Sequence, residues 1–354
     1  MKRRQFLQTS AALSASLCLG PAAGTQEPSQ PTAARLPRWR GFNLLEKFTL
    51  RQNSPYREQD FEWIKDWGFD FVRLPMDYRC WTDEQDLKKF DEAILKHLDQ
   101  AVEYGKQYGV HVSLNLHRAP GYCVNPPEEK LDLWTSEEAL ELFCYQWRSF
   151  AERYKGIPNS QISFNLLNEP AKTERENYIK VVRATAQAIH EADPERLVII
   201  DAFRYGREPV FELANENIAQ STRGYDPMYI SHYKASWVNM DYTDPPTWSL
   251  KRGNKVYDKE YLKEEVIAPF VKLAQLGVGV HVGEFGSYNR TPHDAALAWM
   301  SDFLSLWKEQ GWGWALWNLR GSFGIVDSNR EDVKYEDFHG HQLDRKMLEL
   351  LQAN

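Results

Sequence analysis

The sequence predicts a single (β/α)8 barrel. Eight short apolar runs alternate with amphipathic segments along one chain, several of those segments stop at a glycine just before the next run, and two runs carry a glutamate at or near their C-terminal end. Strict alternation of strand and helix builds a parallel sheet, and eight such units close into a barrel of about this length. The rival, a doubly wound open sheet, needs a glycine-rich phosphate loop after its first strand, and RGFNLLEKF offers none.

The chain does not begin with that body. Residues 1–24, MKRRQFLQTSAALSASLCLGPAAG, have a basic start, an apolar middle and a small-residue end, the pattern of an export signal. Arg3 and Arg4 followed by Phe6 and Leu7 give it a twin-arginine-like character. The expected location is therefore periplasmic or extracellular. Loss of this segment takes the net charge from −7 to −10, because Lys2, Arg3 and Arg4 leave with it and no acid does. A strongly acidic remainder argues against nucleic acid as a partner. No later stretch has the apolar length to span a membrane. Residues 25–38 read as a Pro- and Ser-containing linker, and the barrel is expected over 39–354 as the one domain.

From Trp39 onward the strand runs are WRGFNLL, FDFVRLP, VHVSLNLH, ISFNLLNE, LVIIDAF, MYISHYKA, VGVHVGEFG and WGWALWNL. Helical periodicity falls between them at residues 90–109, 136–156, 175–194 and 292–311, while the segment after LVIIDAF offers only the weak PVFELAN. Composition, 42% hydrophobic and 26% charged, suits an ordinary globular body.

Side chains alternate between the two faces of a strand. In the third run Val110, Val112, Leu114 and Leu116 share the face expected to meet the helices, and His111, Ser113, Asn115 and His117 share the interior. The fourth run repeats this, with Ser163, Asn165, Leu167 and Glu169 inward. Barrel interiors are normally filled by branched apolar residues. A polar interior therefore implies a hydrogen-bonded network rising to the C-terminal mouth, with His111 and Ser113 as structural members. Glu169 and Glu284 close the fourth and seventh runs, where barrel enzymes carry their chemistry. Two carboxylates across one mouth are what glycoside hydrolysis requires. Gly283 and Gly286 are expected to leave room for sugar beside Glu284.

With VRLP (Arg73), NLH (His117), NEP (Asn168, Glu169), GEFG (Glu284) and WALWNL (Trp317) in order, the chain resembles glycoside hydrolase family 5, the cellulase-like family, over about residues 39–354. The resemblance implies Glu169 as general acid/base, Glu284 as nucleophile with Arg73 beside it, Asn168 on the sugar 2-hydroxyl, His117 in the same subsite and Trp317 as an aromatic face for a pyranose ring. It implies a retaining β-glycosidase acting on polysaccharide or oligosaccharide. An endo-β-1,4-glucanase comes first, with the same mechanism on mannan or another β-glucan as the alternative. An idle glycan-binding barrel is the rival of another class, and retention of both glutamates speaks against it. One departure stands out. Relatives carry His-x-Tyr on strand six, whereas SHYKASW puts Tyr233 next to His232, so either Lys234 replaces the tyrosine or Ser231 the histidine. His232 is the preferred match, facing the cleft with Tyr233 turned away.

Trp63, Trp67, Trp147, Trp299 and Trp307 lie at helical spacing and are expected in the core. Trp81, Trp134, Trp237 and Trp248 follow strands on the mouth side, where stacking on sugar is the expectation. Glu46 and Asp201 are further mouth acids, read as hydrogen-bonding partners. Of the cysteines beyond the signal, an oxidising compartment would allow one bridge between Cys80 and Cys123, while Cys144 belongs to a helix. No metal-ligand spacing or cofactor motif is present, and the expected state is a monomer.

Overall fold

The computed structural model describes residues 30–354. The export signal assigned to 1–24 lies outside the described residues. Eight strands form the barrel: β1 (Arg40–Asn43), β2 (Phe71–Asp77), β3 (His111–Ala119), β4 (Ile162–Asn165), β5 (Val198–Asp201), β6 (Ala219–Gly224), β7 (Val280–Phe285) and β8 (Gly313–Leu316). Each pairs in parallel with its sequence neighbours, and β1 pairs with β8 to close the ring. The surrounding helices are α1 (Glu58–Asp66), α2 (Glu92–Tyr108), α3 (Glu137–Arg153), α4 (Arg175–Ala192), α5 (Ala268–Ala274), α6 (His293–Gln310) and α7 (Arg345–Ala353).

Local chemistry sets the helix limits. The Asp91 carboxylate accepts from the Ala93 N–H to start α2, and Gly109 ends it in the left-handed conformation at φ 67°. Ser136 caps α3 through the Ala139 N–H. After β5 only short helical turns form, in keeping with the weak periodicity there.

The apolar face of β3, Val112, Leu114 and Leu116, is wholly buried in the core that also takes in Trp147 and Phe150 of α3. Trp63, Trp67, Trp299 and Trp307 are buried in the same core. A second, smaller apolar cluster plugs the barrel floor, formed by Trp39, Phe71, Leu197, Ile199, Ala219 and Ala315. Ala33 and Leu36 join it, and the Ala33 carbonyl accepts the Gly279 N–H at 2.7 Å. Chain that reads as linker in the sequence thus helps to seal the floor, because its few apolar side chains find a cover there. Above the plug the interior is polar: His111 stacks on Trp39 at 3.7 Å and bonds Ser163 Oγ at 2.8 Å.

Two expectations are corrected, and one pairing that was left open is resolved. Strand six is not MYISHYKA: the barrel strand is AQSTRG, and Met228–Ser231 is a helical turn. The AQSTRG strand has little apolar signal because its outward residues are buried by hydrogen bonds, Gln220 pairing with the Val210 backbone and Thr222 Oγ1 with the Gly206 carbonyl. Cys80 and Cys123 are free; their thiols lie 3.7 Å from the Lys47 and His117 carbonyls respectively. Of the four mouth tryptophans, Trp81 and Trp134 are buried, Trp81 donating to Gln146, and Trp248 is tied to Asp302 at 2.7 Å. Trp237 alone of the four stands in solvent, 58% exposed.

Candidate active site

A cleft of about 860 Å³ opens at the C-terminal end of the barrel, and Glu169, Glu284, His117, His232, Tyr225 and Trp317 all line it. Glu284 comes from β7 just past a register shift, where Val282 faces Thr222 but Glu284 already faces Arg223. Its Oε1 accepts from Arg73 Nη1 at 2.6 Å and its Oε2 from the Tyr225 hydroxyl at 3.1 Å. Arg73, on β2, is itself fixed by Asn165, Asn43 and Asn168 at 2.8, 3.0 and 2.8 Å.

Regular strand geometry ends at Asn165, four residues before Glu169. The backbone then turns so that neighbouring residues Asn168 and Glu169 both reach the site, which strict alternation would forbid. Glu169 sits at φ 48°, a conformation that an L-residue adopts only at a cost of order 1 kcal/mol. Asp201 Oδ2 accepts its N–H at 2.9 Å and the Tyr122 hydroxyl donates to its carbonyl at 2.6 Å, and together they hold it there. The side chain meets Arg223 Nε at 3.2 Å.

The two carboxylates have different surroundings. Burial, and next the nearby charge of Glu284, push the Glu169 carboxyl up to about 7, with Arg223 acting in the opposite sense. Glu284 instead faces Arg73 and Arg223 and a tyrosine hydroxyl. Burial, reinforced by Arg73, Arg223 and Arg118, drives His117 well below its usual value, so its ring is neutral. His117 Nδ1 and Asn168 Nδ2 are buried without a hydrogen-bond partner among the described residues. Such atoms beside a cleft are ready to meet hydroxyl groups. Trp317 and Phe48 flank His117, the Trp317 ring stacking on it at 5.7 Å. An acid that keeps its proton, a carboxylate that faces cations and aromatic faces around both form a site able to cleave an acetal.

The family model for cellulase (glycosyl hydrolase family 5) matches residues 26–322. The chain belongs to glycoside hydrolase family 5. Endoglucanase C of Acetivibrio thermocellus is 26% identical over 305 residues, covering 79% of this chain and 88% of that protein. Cellodextrinase A of Ruminococcus flavefaciens is 24% identical over 268 residues, covering 74% and 77%. A crystal structure of a glycoside hydrolase superimposes with a TM-score of 0.85 at 38% identity, over 89% of this chain and 99% of that one.

Against the family 5 pattern, the structure relocates the strand-six residues. His232 lines the cleft, pushed down to about 4 by burial and then by Arg207, while Tyr233 is buried against Tyr229 and Tyr242. Neither touches Glu284. The spacing of His-x-Tyr is met instead by Arg223–Gly224–Tyr225 at the end of β6, with arginine in the histidine position. Sequence reasoning missed both residues because MYISHYKA looks more like a strand than AQSTRG does. The signal was the spacing itself, a polar residue two before a tyrosine. Gly283 also serves a different neighbour from the one expected: a Cβ there would lie 2.4 Å from Ser221 Oγ and 2.8 Å from Arg223 Nη1. Glu46 lies beside the cleft, raised to about 7 by burial and then by Asp60.

Proposed function

We propose that this family 5 glycosidase is an endo-β-1,4-glucanase working by double displacement, with Glu169 as acid/base and Glu284 as nucleophile. The observation that carries the division of labour is the contrast between a carboxyl pushed up to about 7 and one that faces two arginines. In the first step Glu284 attacks the anomeric carbon, the bond from that carbon to the leaving oxygen breaks, and the Glu169 proton passes to that oxygen. In the second, Glu169 takes a proton from water, the water oxygen bonds to the anomeric carbon, and the ester to Glu284 breaks. Asn168, held by Arg73 and Arg223 through its Oδ1, offers its amide to the 2-hydroxyl. His117 and Trp317 form the adjoining sugar surface, and His232 lies further along the cleft.

The glucan preference is supported by the relatives named endoglucanase and cellodextrinase and by an open cleft with aromatic walls. Export, read from residues 1–24, would place the enzyme where such polymers are met. Product analysis on β-glucans and β-mannans, with the anomer followed by NMR, tests the proposal. Retained β-configuration and oligosaccharides of β-1,4-glucan are expected. An inverted product, or mannan as the sole substrate, would overturn it.

A further inference from the structure

Arg223 lies between the two glutamates. Its side chain is about 1% exposed, yet it touches both glutamates: Nε lies 3.2 Å from Glu169 Oε1 and Nη2 lies 3.3 Å from Glu284 Oε1. Among the described residues it is the cation paired with Glu169. Nη2 also donates to Asp201 Oδ2 and to Asn168 Oδ1, and Nη1 reaches Ser221 Oγ at 3.2 Å. The surroundings are shaped to admit it. A Cβ on Gly206 would lie 2.6 Å from Arg223 Cγ, and one on Gly283 would lie 2.8 Å from Nη1.

The charges around it balance. With Glu169 protonated, Arg73 and Arg223 oppose Asp201 and Glu284, and the buried cluster is neutral. His117 from β3, His281 from β7, Tyr122 and Tyr225 also face the cluster, and all are driven to their neutral forms, first by burial. Burial works against the Arg223 charge too, but Asp201, Glu284 and Glu169 outweigh it and raise its pKa. When the glycosyl ester forms, Glu284 loses its charge and Glu169 gains one. The negative charge crosses from one side of a single guanidinium to the other, and the net charge of the cluster stays the same.

We propose that Arg223 is a shared counter-ion for the two catalytic glutamates, stabilising the carboxylate charge on Glu284 before the ester forms and on Glu169 afterwards, with Asp201 as its balancing partner. The proposal rests on the assignment of Glu169 and Glu284 made above. Arg223 acts through those residues and is a positioning residue with an electrostatic role.

Aryl β-cellobiosides and a 2-deoxy-2-fluoro glycoside test it. Labelling of wild-type Glu284 by the fluoro sugar checks the assignment first; a label elsewhere sinks that assignment and this proposal with it. In R223Q the alkaline limb of kcat/KM, set by the Glu169 proton, should move up by about 1 pH unit or more, since a cation this close lowers a carboxyl pKa by roughly that amount. Deglycosylation, followed with a dinitrophenyl leaving group, should slow at acid pH because Glu169 would hold the proton it must shed. R223K should keep both limbs near the wild type. R223Q/D201N should shift less than R223Q, because Asp201 pushes Glu169 in the opposite direction. If R223Q fails to fold, R223H is read in the same way. A correct label with unmoved limbs would leave Arg223 a mere spacer and overturn the shared counter-ion.

Discussion

The Arg73 guanidinium and the Glu284 carboxylate meet at 2.6 Å, with side-chain exposures of 2% and 4%. A pair this buried is costly to break from one side, about 3–5 kcal/mol, because the remaining charge is stranded. R73Q should therefore lower thermal stability markedly and cut turnover by roughly 10²-fold, the scale of losing one preorganised donor at a reacting charge. Wild-type turnover in a well-folded R73Q would mean that Arg223 alone suffices.

The two glutamates should fail in different ways. E284G is expected to lose turnover, and azide should restore it on an aryl glycoside by attacking from the vacated side to give the α-glycosyl azide. E169A should keep substantial activity where the leaving group needs no proton, and lose it on cellulose oligomers. Azide rescue of the opposite variant with an α-product would reverse the roles.

Glu169 also links function to stability. Its pKa in the folded protein is about 7 against an ordinary 4.5, so the folded state holds this proton more tightly than the unfolded chain does. Stability is then lost as pH rises from about 4.5 through 7, where the unfolded chain releases a proton that the folded one must give up at cost. E169Q removes that cost. Its melting temperature should exceed the wild type's at pH 8, and the gap should close towards pH 4.5. A gap independent of pH would place the effect in packing.

Sugar stacking is expected at Trp317, which lines the cleft beside Phe48 and His117, and at Trp237, which stands exposed beside Tyr288 and Phe323. Covering about 55 Å² of apolar ring is worth ~1.4 kcal/mol, or tenfold in affinity. W317A and W237A, each on an E284Q background, should bind cello-oligosaccharide roughly tenfold more weakly by calorimetry, with unchanged melting. Equal affinity for the longest oligosaccharide would remove the tryptophan concerned from the binding surface.

Particular residues show how far the sequence could be read. Val112, Leu114 and Leu116 alternate with Ser113, Asn115 and His117, and that period-two signal predicts both the strand and its two faces. Glu169 and Glu284 were visible because a charge at the tip of an apolar run has few uses other than chemistry. Arg223 was not, because its strand hides its polar residues in hydrogen bonds with the chain at 206–210, and no apolar periodicity marks such a strand. Trp81 and Trp134 read as platforms because sequence position alone cannot tell a rim from a pocket beneath a loop.

The sequence by itself determined the closed barrel and, strand six apart, the order of its strands, because amphipathic alternation is local and every helix must return the chain in the same direction. It also determined which two acids end up at the mouth. Arg73 apart, which the VRLP motif implied, only the tertiary structure decided what surrounds them. Arg73, Asp201, Arg223 and Tyr225 come from β2, β5, β6 and the turn after β6, and their effect on each glutamate depends on separations of about 3 Å between side chains far apart in the chain. Electrostatic interaction in a buried cluster changes steeply over such distances. No pattern in the sequence records them.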